Sequence, residues 1–480
     1  MEKKSSLLII TACLPFILWG VSGILPTFDD YTTLQSTWWV QIADPGYFFP
    51  DAIRRPWDAL FGLFVGHFPA LFPVLNHVVI ILGHTLNACL VFSICSRLGL
   101  KPTAVNMATL FFFFSPATLG ATLACDGLNQ TYAQLWGLMA LWVYLFRRSW
   151  LWIACIVMAA LSKENGLAWA VVPPVVAYAF GRADRRQAMH HVGTGLIIAV
   201  CYAIVFIAIM SSGIFNIEYD ESYMHNSWTA HAKDLAQLLA FTWLPIDFVS
   251  ALYAPTRNWT MVALTAATAL PFLIVLIIRG VRQLNSRRLL LIILCYIILA
   301  SPHIVSLVSI MHNYAPLSMA AMMVAIIIDR TPAKKSVVVA FSLFLLADIV
   351  TDLHHYQAAR ESGQLSRHMA TQALEQTDLQ TTTRVLCINI DDPSEPHYSS
   401  FCVRPVDAFA WGLSAIHFSH YTFKPTISEL TLPSFDAARV EALADSALQA
   451  GCDAVWVAGH DRNLLCATDS LNSFSKHSPQ

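Results

Sequence analysis

The stretch Ala159-Ala160-Leu161-Ser162-Lys163-Glu164-Asn165-Gly166-Leu167 sets a Lys-Glu pair between two runs of apolar sequence. The run before it, 150–162, and the run after it, 165–180, carry no charge. They are bounded by Arg147-Arg148 at one end and Arg182 at the other. Basic residues are retained on the cytoplasmic side of a bilayer, so the two runs form a hairpin that starts and ends there. At about 1.5 Å per residue the first arm reaches only roughly 21 Å into a hydrocarbon core about 30 Å thick. Its apex stops below the far surface. Charged groups are tolerated at that depth only in a water-filled cavity or against a charged partner.

The chain around the hairpin has the composition of a membrane protein. Of its 480 residues 56% are hydrophobic and 12% charged, about half the roughly 25% charge of a soluble globular protein. Mean hydropathy is +0.55. A net charge of −2 excludes nucleic acid as a partner, because phosphate binding needs a basic footprint. Residues 1–351 hold 21 basic and 16 acidic groups, whereas 352–480 hold 8 and 15. Two domains are expected: a membrane body over 1–351 and a polar tail over 352–480.

Apolar runs of spanning length fall near 5–25, 75–97, 102–123, 130–146, 150–162, 165–180, 188–210, 259–278, 289–309, 315–329 and 336–351. Lys3 and Lys4 precede the first, but no small-x-small cleavage site follows, so it reads as a retained helix. With the N-terminus inside, sixteen Lys and Arg fall on cytoplasmic segments and five on the opposite side before the tail. Eleven passes then put the tail outside, in the periplasm if the cell is bacterial. The expected fold is mainly α and polytopic, with a small extracytoplasmic α/β domain. In that domain Arg384–Ile390 reads as a strand, 434–450 as a helix capped by Ser434, and Asp453–Ala458 as a second strand. Cys387, Cys402, Cys452 and Cys466 are an even set in an oxidising compartment, which favours one or two disulfides.

Candidate chemistry concentrates on the outer side. Asp29-Asp30 directly follows the first helix, and two adjacent carboxylates at a cavity mouth can supply a general base; the structural alternative is an N-cap for 30–43. Lys163 is a point charge suited to a phosphate, with Glu164 to orient it or bind sugar hydroxyls, unless the two simply neutralise each other. Arg54-Arg55 offers a guanidinium clamp for an anion or an interfacial anchor. The first outer loop, 26–70, also carries Trp38-Trp39. A second loop, 211–258, contains an amphipathic stretch at 227–244 suited to the interface plane. Asp126 with Asn129, in a loop at 124–129, can touch sugar hydroxyls, and His303 and His312 can line the cavity. His190-His191 reads as boundary polarity, and His417-x-x-His420 is a weak metal pair. Nothing in the sequence requires a cofactor, although a divalent metal fits an acid pair.

The stretch Arg55-Pro56-Trp57, followed by Phe72-Pro73-Val74-Leu75-Asn76-His77 and Gly83-His84-Thr85-Leu86-Asn87, resembles the polyprenyl-phosphate-sugar-dependent glycosyltransferases of the GT-C superfamily. The similarity is to the tetratricopeptide-bearing O-mannosyltransferases and their bacterial relatives. Phe28-Asp29-Asp30 is similar to that group's first-loop acidic motif, and Leu161-Ser162-Lys163-Glu164-Asn165 to its Ser-Lys-Glu motif. Asn313-Tyr314-Ala315-Pro316-Leu317 looks like its late Arg-Tyr-x-x-x-Pro motif with Asn313 in place of Arg, which makes His312 and Tyr314 substrate-binding candidates. Ser115-Pro116 stands where the family has His-Pro, and the tail has no tetratricopeptide-like repeats. The resemblance, over roughly 20–330, implies transfer of a sugar from a polyprenyl-phosphate carrier to an acceptor glycan, lipid or protein on the extracytoplasmic face, with Asp29 or Asp30 as base and inversion at the anomeric carbon.

Three other readings compete. A transporter or flippase would favour paired inverted repeats with matching broken helices, and the short hairpin has no counterpart in the second half. An O-antigen polymerase or ligase would favour an arginine-rich central outer loop, where 211–258 has only Lys233 and Arg257. A non-catalytic scaffold has no need of Lys163 and Glu164 at depth.

Overall fold

A computed structural model describes residues 4–25, 72–124, 127–147, 149–211, 227–245, 258–304, 310–331, 335–378, 381–390, 426–460 and 463–467. Helices dominate. In chain order over these residues they are α1 (Ser5–Val21), α2 (Phe72–Arg97), α3 (Pro102–Phe113), α4 (Leu119–Thr122), α5 (Leu128–Phe146), α6 (Leu151–Ser162) and α7 (Val172–Ala179). They continue as α8 (Arg185–Ser211), α9 (Trp228–Trp243), α10 (Trp259–Val281), α11 (Arg287–Ala300), α12 (Tyr314–Asp329), α13 (Lys335–Gln376) and α14 (Ala437–Gln449). A four-stranded sheet consists of β1 (Arg384–Ile390), β2 (Thr426–Leu432), β3 (Ala454–His460) and β4 (Asn463–Ala467).

The chain is a mainly helical membrane protein. Among the described residues, five stretches are long and apolar enough to cross a bilayer: Val74–Arg97, Arg185–Ala208, Trp259–Val281, Met311–Asp329 and part of Lys335–Gln376. Ser5–Val21 and Leu151–Ser162 are apolar but shorter. The run at 102–123 is not one straight helix, because α3 ends at Phe113 and the chain bends by 46° before Pro116–Thr122. Proline supplies no N–H to the helix ladder and pushes the preceding residue out of the helical region; Ser115 is extended accordingly, with φ −69° and ψ 129°. The first helix ends at Val21 rather than 25. The short outer loop that the sequence suggests near 311–316 is instead a 3-10 turn, Ile310–Asn313, followed directly by the first residues of α12.

The bundle is organised around α12, which packs against α2, α3, α5, α10 and α11. It is buried along nearly its whole length and is rich in Ala and Met. Small residues let helix backbones approach when lipid provides no hydrophobic drive between them. The same device docks the hairpin: Trp169 is buried over Gly137 of α5, where any side chain would run into the indole ring. At the N-terminal end of α3, the Lys101 amide donates to the Asp329 carboxylate at the C-terminal end of α12. Ser6 of α1 bonds the Asn106 carboxamide through both its amide N–H (2.9 Å) and its hydroxyl (2.6 Å).

The helix that carries the last apolar run does not stop where that run stops. As α13 it continues unbroken for 42 residues, through the expected junction at 351/352. Its distal half is needed elsewhere. Met369, Ala370 and Ala373 cover one face of the sheet together with Val385, Cys387 and Trp456. On the other face, Val440 and Ala444 of α14 pack on Ile388, Ile390, Val455 and Val457. Strand order is β2-β1-β3-β4, with β1 parallel to β2 and β3, and β4 antiparallel to β3. The α13 attachment is also polar: Trp456 Nε1 donates to Thr377 Oγ1 at 2.9 Å, and the Leu464 amide to Gln372 Oε1 at 2.7 Å.

Two expectations for the tail are corrected. The N-cap of α14 is Asp436, whose carboxylate accepts from the Ala438 and Arg439 amides; Ser434 lies outside the helix. Cys387, Cys452 and Cys466 are free thiols, and Cys402 lies outside the described residues. Burial in the sheet pushes the Cys466 thiol up to about 12.

At the start of β3, Asp453 ties two strands together. Its carboxylate accepts from the Thr383 amide (2.7 Å), the Thr383 hydroxyl (2.8 Å) and the Arg384 amide (2.9 Å). The Thr383 amide, followed by the other donors, holds this carboxyl below the ordinary range. A carboxyl with a lowered folded-state pKa stabilises the fold fully above its unfolded value of about 3.9 and loses that contribution as pH falls through the lower folded value. We therefore expect Asp453→Asn to lower the thermal midpoint of the detergent-solubilised protein at neutral pH, and the gap to wild type to close below about pH 4. A gap that stays constant through that window would contradict this assignment.

Candidate functional site

The hairpin apex is built by a change in backbone. After Ser162 the chain leaves the α-helix: Lys163 is extended, with φ −155° and ψ 142°, and Glu164–Ala170 winds as a 3-10 helix. The Gly166 amide closes the turn onto the Lys163 carbonyl at 2.8 Å. Glycine is required at 166 because a Cβ there would collide with the Ala159 carbonyl. Lys163, Glu164 and Asn165 are thereby presented, half-buried, at the end of the hairpin.

Asn165 connects this apex to the rest of the bundle. Its Nδ2 donates to Gln130 Oε1 on α5 at 3.1 Å and to His303 Nε2 at 2.9 Å. His303 lies in the 3-10 turn Ser301–His303 that ends α11, and is 5% exposed. Its ring stacks on His312 with centroids 4.1 Å apart and 14° between planes. Lys163 is within electrostatic range of both imidazoles. The structure thus brings together Lys163, His303 and His312, which the sequence reading singled out, and adds Asn165 and Gln130. Lys163, His303 and His312 form one cluster, with Glu164 next to the lysine in sequence.

A helix packs against the turn that carries His312. α9 is N-capped by the Ser227 hydroxyl and presents Trp228, 89% exposed, on its outer side. Its inner side reaches the turns that carry the histidines: His231 bonds the Ile304 carbonyl at 2.9 Å, and Thr242 bonds Tyr296 OH at 2.9 Å. This is the amphipathic stretch expected at 227–244.

Tyr314 occupies a different environment. It is fully buried, and its hydroxyl meets His84 Nδ1 at 2.7 Å while accepting from Asn87 Nδ2 at 3.1 Å. His84 Nε2 donates to the Phe113 carbonyl at 3.0 Å, so the tyrosine hydroxyl must donate to Nδ1. Asn87 also donates to the Thr131 carbonyl at 3.0 Å, and His77 to the Leu123 carbonyl at 2.9 Å. Together these bonds hold α2, α5 and the bent 114–124 segment against the head of α12. Tyr314, buried and bonded to α2, fixes the turn that carries His312.

Asn129, expected on an exposed loop, is instead buried within α5. Asp29, Asp30, Arg54, Arg55, Asp126, His417 and His420 lie outside the described residues. Among the described residues no three His, Cys, Asp or Glu side chains gather into a metal-binding group. Asp348 of α13 reads in the sequence as an acid near the outer end of the last pass, and Asp352 was missed. Asp348 is 1% exposed, and both its carboxylate oxygens lack a hydrogen-bond partner among the described residues. An acid next to the end of an apolar run reads as boundary polarity; only the packing of other helices over it reveals burial.

Comparison with family models, with curated proteins and with solved structures finds no match to this chain.

The Tyr314 network predicts a specific loss. Tyr314→Phe strands His84 Nδ1 and one Asn87 donor, and leaving such groups buried and unsatisfied costs about 1–3 kcal/mol. The thermal midpoint in detergent should fall, while Tyr132→Phe, a change at a half-buried hydroxyl, should have less effect. An unchanged midpoint for Tyr314→Phe would show that the network does not hold the turn.

Proposed function

We propose that this chain is an integral-membrane glycosyltransferase that moves a sugar from a polyprenyl-phosphate carrier to an acceptor on the extracytoplasmic face. The observation that supports this most is the convergence of Lys163, His303 and His312 at the end of a hairpin too short to cross the bilayer. An ammonium and two imidazoles around one recess match a phosphate in charge and donors. A lipid-linked sugar must keep its tail in the membrane and its phosphate at such a depth. The distribution of Lys and Arg supports a cytoplasmic N-terminus and an extracytoplasmic tail, in the inner membrane of a bacterial cell.

In this reading the acceptor hydroxyl oxygen attacks the anomeric carbon. The bond from that carbon to the phosphate oxygen breaks, and its electron pair leaves with the polyprenyl phosphate. The hydroxyl proton passes to Asp29 or Asp30. Direct displacement inverts the anomeric centre. Lys163, assisted by His312 and His303, stabilises the charge that grows on the leaving phosphate, with Glu164 available to sugar hydroxyls and Arg54, Arg55 and Asp126 as further contacts from outer loops. The described backbone at Leu25 lies against Gly363 of α13. Asp30 follows five residues later, so chain length keeps it within about 18 Å of that point.

Purified protein incubated with synthetic polyprenyl-phosphate sugars should release the carrier phosphate. Lys163→Ala should reduce kcat/KM by about 10²-fold or more, the usual effect of removing a group that stabilises developing charge. Asp29→Asn or Asp30→Asn should abolish transfer while leaving donor binding in place. Release that survives all three replacements would remove the site assignment, and donor binding without turnover on any acceptor would favour transport of a lipid-linked substrate.

A further inference from the structure

A cavity of about 850 Å³ opens between α1, α4 and α13, and none of Lys163, His303 and His312 lines it. Most of its wall is apolar: Phe16, Ile17 and Trp19 of α1 line it with Ile349 and Leu353 of α13. Phe16 and Trp19 are about three-quarters exposed, so this wall continues onto the surface that faces lipid. Into this apolar space α13 projects Asp352. Its Oδ1 is buried with no hydrogen-bond partner among the described residues, and Asp348, one helical turn deeper on the same helix, has both oxygens in the same condition.

Tyr356, Gln357, Arg360 and Gln364 of α13 add polar groups to the wall, and the polar groups on the facing elements are bonded among themselves. The Thr118 hydroxyl donates to the Ser115 carbonyl at 2.8 Å, and the Thr122 hydroxyl to the Thr118 carbonyl at 3.1 Å. Both ring nitrogens of His84 are engaged by Tyr314 and Phe113. Buried acceptors without donors are rare in native structures, and acids within apolar spans mark functional positions. The occupant must therefore bring hydrogen-bond donors. It must not bring negative charge, because the lining holds Asp352 and Glu361 against Arg360 alone, with Asp348 beneath. This excludes the donor's phosphate from the cavity. The apolar wall open to lipid adds the last requirement, a hydrocarbon chain.

We propose that this cavity seats the acceptor of the transfer as an amphiphile, a lipid whose uncharged, hydroxyl-bearing head donates hydrogen bonds to Asp352 while its chain lies between α1 and α13. The acceptor role rests on the glycosyltransferase reading; the lipid site does not. Asp352 is a binding residue here, and the base remains with the first outer loop.

The test uses the full chain in lipid nanodiscs and two photoactivatable probes with the same diazirine-bearing alkyl chain, one an alkyl glucoside and the other an alkyl phosphate. Mapped by peptide mass spectrometry, the glucoside should label α1 and α13 and be displaced by unlabelled alkyl glucoside. Asp352→Leu should cut this labelling at least about tenfold, the worth of a hydrogen bond to a charged group. Gly20→Phe should do the same by filling the cavity, since Gly20 lines it and a Cβ there meets nothing within 4 Å. Equal labelling by the phosphate probe, or labelling unchanged in both variants, would overturn the proposal. Labelling needs no turnover, so cavity labelling without sugar transfer would defeat the transferase reading and leave the lipid site standing. Sugar transfer without cavity labelling would do the reverse.

Discussion

A lysine and a glutamate set between two apolar segments of a membrane protein must be kept out of hydrocarbon. Much of the surrounding architecture answers that constraint. Irregular backbone is tolerated at membrane depth only where protein buries it or water reaches it. Around this apex the bundle gathers several 3-10 segments: Glu164–Ala170 itself, Ser301–His303 joined to it through Asn165, and Ile310–Asn313 joined through the stacked histidines. The break at Pro116–Thr118 packs against the same turn. Each break exposes peptide groups that a continuous helix would have satisfied, and each brings a polar side chain to a depth where straight helices could not.

Those breaks would be loose without a rigid partner. The buried relay from Asn87 through Tyr314 to His84 and the Phe113 carbonyl supplies one, because the Tyr314 hydroxyl accepts from Asn87 and donates to His84, which in turn donates to the Phe113 carbonyl. It joins α2, α3 and α12 immediately below the turn that carries His312. The polar recess is therefore held by a second polar network, itself sealed in the helix core. α13 extends the logic outward. One uninterrupted helix contributes Asp348 and Asp352 to the membrane body and then covers one face of the sheet, so the tail is attached through a helix rather than a linker.

Sequence legibility followed the strength of local signals. The first arm of the hairpin was expected at 150–162 and runs from Leu151 to Ser162, because basic flanks and a Lys-Glu pair bracket the apolar run from both sides. The strand at 384–390 and the interfacial helix at 227–244 were equally clear, from an unbroken apolar run and a helical repeat. The break before Pro116 was not, since the long apolar stretch around it outweighed one proline. The continuation of α13 was hidden for a related reason: its composition turns polar after residue 351 although its helical spacing of Leu365, Met369, Ala370 and Ala373 persists. In the site, Lys163 and His312 were legible from depth and position. His303 was a weaker candidate, and Asp352 was invisible, because its burial is made by α1 and α4, far away in sequence.

The central claim is that Lys163 sits in a wet recess open to the outside. The direct measurement is accessibility of a Lys163→Cys side chain to a membrane-impermeant thiol reagent in intact spheroplasts, read at the peptide carrying position 163 by mass spectrometry. The account predicts modification from the outside, reduced when inorganic pyrophosphate or a short-chain prenyl phosphate occupies the recess. Modification only after permeabilisation, or only after denaturation, would contradict it.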